Sequence, residues 1–202
     1  PRMDSSFVFG SLLDDQHGGT FAVEMVDAAS CEQHYVEHTN VVRTVFRGPS
    51  GAFELIDFAP RYHLYDRHFK PSMMVRILRP LQGAPLVRIR CEPVYDYGRS
   101  RSGAYVASNH IEYTGLPAPV RLTTDVSLTY VREGRPFVLA RPAHLALTWG
   151  QPLESPLETT TEEFLSRTVS YWHRWVKRMR IPREFQREVI RSALALKLHQ
   201  YE

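Results

Sequence analysis

Hydrophobic and polar residues alternate with a period of two along most of this chain, from about residue 20 to residue 149. In one such segment Val87, Ile89 and Cys91 alternate with Arg88 and Arg90. Successive side chains of a β-strand point to opposite faces, so this spacing predicts strands with one buried face. The other candidate strands are segments 20–26, 41–47, 53–58, 75–78, 104–108, 110–113, 127–131, 137–141 and 144–149.

Runs of residues that favour turns separate these segments, at 48–51, 82–83, 98–103 and 133–134. Short strands at regular spacing, with little helical period between them, are typical of an antiparallel β-sandwich. We therefore predict a mainly β fold, with about ten short strands in an antiparallel sandwich. Several strands carry arginine on one face, which predicts a sheet face that is either solvated or covered by another domain.

The period changes near residue 150, after the proline-rich connector 150–156. Thr160 and Thr161 precede Glu163 in a pattern that resembles a capping box, and apolar residues then follow at helical spacing. Trp172 and Trp175 are three residues apart and fall on one helix face. Such a pair can stack on a sugar ring, but a packing surface is the favoured interpretation.

A second helix is predicted after Ile181, with Pro182 near its first turn, and it stays apolar and periodic to the last residue. No Gly or Asn cap ends it, so we expect further helical protein after Glu202. The predicted domains are a β-sandwich over 1–150, a linker with a helix over 151–182, and, over 183–202, the first helix of a truncated helical catalytic domain.

The composition is that of an ordinary soluble protein, with 25 Lys and Arg against 22 Asp and Glu. This balance argues against nucleic acid as a partner, and the basic run from Arg174 to Arg183 is interpreted as a solvated helix face. No apolar run is long enough to cross a membrane, and no secretory signal is visible. Two cysteines, Cys31 and Cys91, fit free thiols in a reducing compartment, so a cytoplasmic protein is predicted.

Motifs that carry chemistry are weak throughout. The sequence holds neither the Gly-x-Ser-x-Gly motif of hydrolases nor a glycine-rich phosphate loop after a strand. His63 and His68, five residues apart, fit neither strand nor helix spacing for metal ligands and are interpreted as a surface loop. Six acids are candidates for the carboxylate pair of a glycosidase, each with a strand or turn role as the simpler interpretation: Glu24, Glu37, Glu54, Asp57, Glu92 and Asp96. We predict no metal and no cofactor.

Six motifs occur in a fixed order along the chain: 1–5 (PRMDS) with 12–14 (LLD) and 18–19 (GG), 35–44 (YVEHTNVVRT), 53–61 (FELIDFAPR), 75–79 (VRILR), 95–99 (YDYGR), and 191–194 (RSAL) with 196–197 (LK). Through this ordered set the chain resembles the N-terminal region of bacterial and archaeal family-15 glycoside hydrolases, the glucoamylase and trehalase group. Pro80 replaces a common Gly of that family, and His38 stands where Asn is common.

The resemblance implies a supersandwich-like β-domain joined by linker helices to an (α/α)6 barrel. It also implies hydrolysis of α-glucosidic bonds with inversion, by two glutamates in segments after the position that matches Glu202, and a family opening that extends upstream of Pro1. No residue of this chain inherits a catalytic role. The partners it implies are an α-glucoside substrate, bound by the barrel, and the helical domain itself.

Arg2 and Asp4, in the opening loop, are the candidates for a substrate rim, and ordinary packing of that loop is the alternative. Two other functions remain open. A stand-alone carbohydrate-binding module would present Tyr95, Tyr97, Tyr105 or Tyr113 on one face. An assembly module would instead associate, as a homo-oligomer for example, through the arginine-bearing sheet face.

Overall fold

β-structure dominates the computed structural model, which describes residues 5–153 and 155–200. The helices are α1 (Leu128–Glu133), α2 (Leu157–Lys177) and α3 (Gln186–His199), with a short 3-10 turn at Asp96–Gly98. The strands are β1 (Thr20–Met25), β2 (Ser30–Tyr35), β3 (Val42–Gly48), β4 (Gly51–Phe58), β5 (Tyr62–Leu64), β6 (Arg67–Phe69), β7 (Met73–Gly83), β8 (Leu86–Glu92), β9 (Val94–Tyr95), β10 (Ser100–Arg101), β11 (Gly103–Val106), β12 (His110–Thr114), β13 (Val120–Thr124), β14 (Phe137–Val138) and β15 (Ala143–Trp149).

The strands pair antiparallel in two main sheets, so the predicted mainly β, antiparallel fold with few helices is confirmed. The larger sheet has the order β11-β12-β13-β15-β7-β4-β3-β2, and the smaller one the order β1-β8-β14. Two separate two-stranded pairs, β5 with β6 and β9 with β10, lie outside them. None of the helices in the described ranges is long and apolar enough to span a membrane.

The two faces of the larger sheet serve two different cores. Leu55 pairs with Leu78 across β4 and β7, and both belong to the core shared with the smaller sheet. The next pair along the same strands, Ile56 with Ile77, belongs to a second core that also contains residues of α2 and α3. Because adjacent residues of a strand face opposite sides, the smaller sheet and the helices cover opposite faces of the larger sheet.

One largely buried ion pair lies between the two sheets. The guanidinium of Arg76 lies 4.1 Å from the ring centre of Phe21, on β1, and its Nε is 3.2 Å from Asp57 Oδ1. Burial raises the pKa of Asp57, although the positive charge of Arg76 opposes this, and burial lowers the pKa of Arg76. Asp57, a candidate catalytic acid by sequence, therefore contributes to the sandwich interior rather than to a cleft.

The predicted strand at 127–131 is wrong, because this segment contains α1. Leu128 and Val131 both contact the core shared with the smaller sheet. Their separation of three residues is helical spacing, but in so short an apolar segment it does not distinguish a helix from a strand. Gly134 ends the helix with φ 59°, and its N–H donates to the carbonyl of Val131. A left-handed glycine cap of this kind was the signal available in the sequence.

Four strands had no alternation that sequence reasoning could detect. β2 is exposed at every position, so its residues show no hydrophobic period. β13 is buried on most positions, and β5 with β6 form a short hairpin where a surface loop was predicted. The predicted strand at 137–141 shortens to β14, two residues long.

Both helices begin at positions other than those predicted. α2 begins at Leu157, so the predicted capping box lies inside the helix, where the Thr161 hydroxyl donates to the Leu157 carbonyl at 2.8 Å. α3 begins at Gln186, four residues after Pro182, and Phe185 before it has φ 54°. The chain therefore turns between the helices over a longer segment than the proline signal indicated.

Candidate domain-docking face

The surface that joins the helices to the larger sheet is the candidate functional site, and α2 provides most of it. Phe164, Thr168, Tyr171, Trp172 and Val176 recur at helical spacing along α2, and all are buried. This single face packs on residues of β4, β5 and β7 and on the residue just before β3: Val41, Ile56, Phe58, Tyr62, Val75 and Ile77. The apolar stripe predicted from the sequence is thus packing surface, and it holds α2 against the sheet.

The second helix is held by polar contacts to a turn that lies about 150 residues earlier. Arg191 donates to the Thr39 carbonyl at 2.7 Å and also contacts Asn40 Oδ1, while Asn40 Nδ2 donates to the Leu194 carbonyl at 2.9 Å. His38, just before, has φ 56°, a conformation that Asn adopts more readily than most residues. Two motifs of the family resemblance therefore contact each other directly.

Arg61 joins both helices to the end of the sheet and is itself buried. Its backbone N–H donates to Thr168 Oγ1 at 3.1 Å, its Nε donates to the Tyr171 hydroxyl at 3.2 Å, and one terminal nitrogen donates to the Lys197 carbonyl at 3.1 Å. The guanidinium also lies 5.5 Å from the ring centre of Trp172. One side chain therefore contacts both α2 and α3.

A chain of alternating charges crosses the same face from β3 to the loop after β13. Glu162 of α2 is its central link, 2.6 Å from Arg79 and 3.5 Å from His144. Arg43 lies 2.6 Å from Glu54, which is also 3.5 Å from Arg79. In spatial order the members are Arg43, Glu54, Arg79, Glu162, His144 and Asp125.

His144 is the least exposed member of this chain, with a residue exposure of 1%. Its Nδ1 lies 2.9 Å from Asp125 Oδ2, and its backbone N–H donates to Asp125 Oδ1 at 2.8 Å. Burial alone would lower the pKa of His144, but hydrogen bonding to Asp125 and the charges of Asp125 and Glu162 outweigh it. The pKa is therefore raised above its usual 6.5.

The carboxylates proposed from sequence do not face one another in a shared cleft. Glu54 and Asp57 are ion-paired as described above, and Glu24 lies beside Arg88 and Arg90. Asp96 lies 3.9 Å from Arg99, and Glu37 lies 3.8 Å from His38. The residues expected at a substrate rim, Arg2 and Asp4, lie outside the described residues.

Glu92 borders a cavity of about 230 Å³. The residues that line it include Ile111, Tyr113, Arg101 and Arg132. A general acid and base need two carboxylates on either side of the bond to be cleaved. One carboxylate beside two arginines does not supply that pair.

The two histidines of the sequence analysis do meet, contrary to the predicted surface loop. His63 and His68 are opposite residues of the β5–β6 hairpin, and their ring centres are 4.3 Å apart in an edge-to-face arrangement. Both rings also lie against Tyr171 of α2. A tight turn between two short strands places residues five apart opposite each other, whereas the prediction compared only positions within one strand or one helix. No group of three metal-binding side chains occurs among the described residues.

The aromatic residues proposed as sugar platforms have different surroundings. Trp172 is buried, and its ring centre lies 6.2 Å from that of Trp175 in an edge-to-face arrangement, which supports the packing interpretation. Tyr113 is buried and donates to the Cys91 carbonyl at 2.8 Å. Tyr105 is exposed and pairs with the residue before Tyr113, so these two tyrosines point to opposite faces.

Residues 1–136 match the model of a family described as trehalase-like, N-terminal. The chain belongs to this family. The matched part contains Thr39, Asn40 and Arg61, whereas α2 and α3 follow it. The helices therefore dock partly on the trehalase-like family segment and partly on β15, which follows it. No solved structure gives a significant match to the chain.

Curated relatives extend the trehalase-like resemblance over the helices as well. A protein named trehalase from Thermoplasma acidophilum is 25% identical over 100% of this chain and 36% of its own length. A trehalase from Thermoplasma volcanium is 26% identical over 100% of the chain and 33% of its length, and trehalase 1 of Sulfolobus acidocaldarius is 26% identical over 85% and 29%. These relatives are archaeal, and the chain spans about a third of their length.

Proposed function

We propose that this chain is the non-catalytic N-terminal part of a glycoside hydrolase of the glucoamylase and trehalase type. In this proposal the enzyme hydrolyses α-glucosidic bonds with inversion, using two glutamates of an (α/α)6 barrel that follows α3. The β-domain and α2 set the position of that barrel, and α3 is its first helix. Residues 1–150, 151–182 and 183–202 are then sandwich, linker and barrel start.

The observation that carries the proposal is the bonding between the family segment and the helices. Three hydrogen bonds join residues more than 130 positions apart: Arg191 to Thr39, Asn40 to Leu194, and Arg61 to Lys197. Such directional bonds, added to a buried apolar face, hold two elements in one orientation. The relatives named trehalase align with both partners of these bonds and are about three times as long.

The chemistry of the described carboxylates supports a catalytic pair elsewhere in the enzyme. An inverting glycosidase places its two carboxyl groups about 6.5–9.5 Å apart, with room for water between them. Here Glu54, Asp57 and Glu24 neutralise arginines in the sheets. If these carboxylates turned toward a substrate instead, the guanidinium groups would lose their ion-pair partners.

Glucose release separates the proposal from an active β-domain. The 202-residue chain and the full-length gene product are incubated with trehalose, maltose and longer maltooligosaccharides, and glucose is measured. We expect release by the full-length protein alone. Release by the 202-residue chain that is lost on Glu92→Gln but kept on Glu37→Gln would instead place catalysis in the β-domain.

The stereochemistry of the product tests the second part of the proposal. Proton NMR of early time points distinguishes α- from β-glucose before the anomers equilibrate. Inversion at an α-linkage releases β-glucose from the attacked ring. α-Glucose as the sole first product would contradict the inverting mechanism while leaving the trehalase-type assignment intact.

Binding and assembly are the two alternatives that the isolated chain can address. Calorimetric titration of the 202-residue chain with trehalose and with glucose would detect a carbohydrate-binding module, and light scattering would detect self-association. We expect a monomer without measurable sugar affinity. Millimolar or tighter binding that disappears on Tyr105→Ala would favour the binding module.

A cytoplasmic location is part of the same proposal. Cys31 is exposed and Cys91 is buried, and both are free thiols, which suits a reducing compartment. Fractionation of the source cells with an antibody to the chain tests this. Recovery of the enzyme mainly in the medium would contradict it.

A further inference from the structure

We propose that His144 is a proton-operated latch between the larger sheet and α2, closed when the imidazole is protonated and weakened when it is neutral. The latch regulates how firmly the linker helix is held. Its effect on a catalytic domain rests on the function proposed above, whereas its effect on α2 can be measured in this chain alone.

The argument begins with the two carboxylates on either side of the ring. Nδ1 is 2.9 Å from Asp125 Oδ2, and Nε2 is 3.5 Å from Glu162 Oε1. A carboxylate only accepts hydrogen bonds, and a neutral imidazole has one donor nitrogen and one acceptor nitrogen. Either neutral tautomer therefore turns a lone pair toward a carboxylate. Only the imidazolium, with two N–H donors, suits both neighbours.

The two carboxylates belong to different layers of the molecule. Asp125 follows β13 directly and lies opposite His144 at the end of that strand, whereas Glu162 belongs to the second turn of α2. Nε2 is buried and has no hydrogen-bond partner within normal distance, so its contact with Glu162 depends on its proton. Protonation thus changes the contact between sheet and helix from repulsive to attractive.

The described strand neighbours of His144 are uncharged. Across β7 the register partner of His144 is Ile77, and on β13 the Thr124 hydroxyl donates to the His144 carbonyl. Behind Glu162 stands Arg79, 2.6 Å from that carboxylate. This ion pair holds the Glu162 carboxylate beside the ring.

The direction of the pH dependence follows from the raised pKa of His144. A group whose pKa is higher in the folded protein contributes stability below its unfolded value, near 6.5, and this contribution is lost as pH rises through the folded pKa. Helix docking is therefore tightest in mild acid. Each unit by which Glu162 raises the pKa changes the ratio of docked to released helix tenfold between the two protonation states.

Imidazole titration by NMR is the decisive measurement, made on the 202-residue chain. Wild type is compared with Glu162→Gln and with Glu163→Gln, the neighbouring exposed acid that pairs with Arg167 instead. We expect the His144 resonances of wild type and of Glu163→Gln to titrate above pH 6.5, and those of Glu162→Gln to titrate lower. An unchanged His144 pKa in Glu162→Gln would overturn the latch.

Thermal unfolding measured by circular dichroism gives the second readout. Because Glu162→Gln also breaks the contact with Arg79 at every pH, only the pH-dependent part of the Tm difference reports the latch. We expect wild type to exceed Glu162→Gln by several degrees more at pH 6 than at pH 9, and His144→Gln to remove this pH dependence. A Tm difference that is constant over this range, with the variants folded at both ends, would refute the proposal.

Discussion

The guanidinium of Arg191 on α3 lies 3.8 Å from the ring centre of Tyr35 on β2, and the same group donates to the Thr39 carbonyl. One arginine thus joins the second helix to both the edge strand and the turn that follows it. A hydrogen bond that involves a charged group contributes about 1.5–3 kcal/mol to stability, and this contribution is lost when either partner is removed. Docking of α3 should therefore depend on this side chain as well as on its buried apolar residues, Ile190 and Leu194.

Arg191→Ala is expected to lower the free energy of unfolding by about 2 kcal/mol, because the Thr39 carbonyl and Asn40 lose their charged donor. Urea unfolding followed by circular dichroism measures this. Arg187→Ala, an exposed arginine one turn earlier on α3, is the matched control and should change stability by about 0.5 kcal/mol or less. Equal losses in both variants would contradict the role assigned to the Arg191 contacts.

The buried pair Asp57 and Arg76 should respond unequally to removal of either partner. Asp57→Asn leaves a guanidinium in the sandwich interior that cannot lose its proton, and a loss of about 3 kcal/mol is expected. Arg76→Met leaves a carboxyl group that can be neutralised by protonation, so its cost should be smaller at low pH. The double variant should be more stable than Asp57→Asn, which urea unfolding of the three proteins can test.

The pH dependence of Arg76→Met follows from the same pair. Burial already raises the pKa of Asp57, and loss of the Arg76 charge removes the effect that opposes it. The folded variant then binds more protons than the unfolded chain, so its stability falls as pH rises from 3.8 through the folded pKa. Tm measured between pH 4 and pH 8, relative to wild type, should show this decline; a flat difference would contradict it.

The two tryptophans of α2 form a matched pair for the second core. Trp172 is 1% exposed, and its removal in Trp172→Ala should cost about 3–5 kcal/mol through loss of packing and creation of a cavity. Trp175 is only partly buried, and Trp175→Ala should cost about 1–2 kcal/mol. Equal effects in thermal or urea unfolding would place the core on a different face of the helix.

The two thiols should differ sharply in reactivity. Burial raises the pKa of Cys91 to about 12, although the Tyr113 hydroxyl and Arg76 oppose this, so little reactive thiolate forms at neutral pH. Cys31 is exposed on β2. A disulfide reagent at pH 8 should modify one thiol per native chain within minutes and the second only after unfolding. Cys31→Ser should abolish the fast reaction, and persistence of that reaction would contradict the burial of Cys91.

The sequence predicts the parts of the molecule whose residues alternate locally, and it fails where contacts join distant segments. β8 alternates because one of its faces is buried and the other is less so, and its prediction is confirmed. The predictions of β4 and β7 are confirmed as well, although cores cover both faces of the larger sheet there. β2 lacks any such signal, since both of its faces are exposed. α1 was mistaken for a strand, because a six-residue helix offers too few turns to show its period.

The candidate site shows the same division. The family motifs at 35–44 and 191–194 were recognised separately, but only the structure shows that Asn40 and Arg191 touch. The latch could not be anticipated, because Asp125, His144 and Glu162 are widely separated in sequence and each has an ordinary local pattern. The spacing of His63 and His68 indicates a surface loop, whereas the hairpin register places the two residues side by side.

The second core also has a consequence for biosynthesis. Its sheet face includes Ile56, Val75 and Ile77, which are synthesised early. Leu194, which helps to cover this face, is synthesised 117 residues after Ile77. At about 5–20 residues per second, the ribosome needs roughly 6–23 s to supply that cover. During this interval the apolar face of the nascent chain lacks the cover that α2 and α3 provide, and exposed apolar surface of this kind favours aggregation.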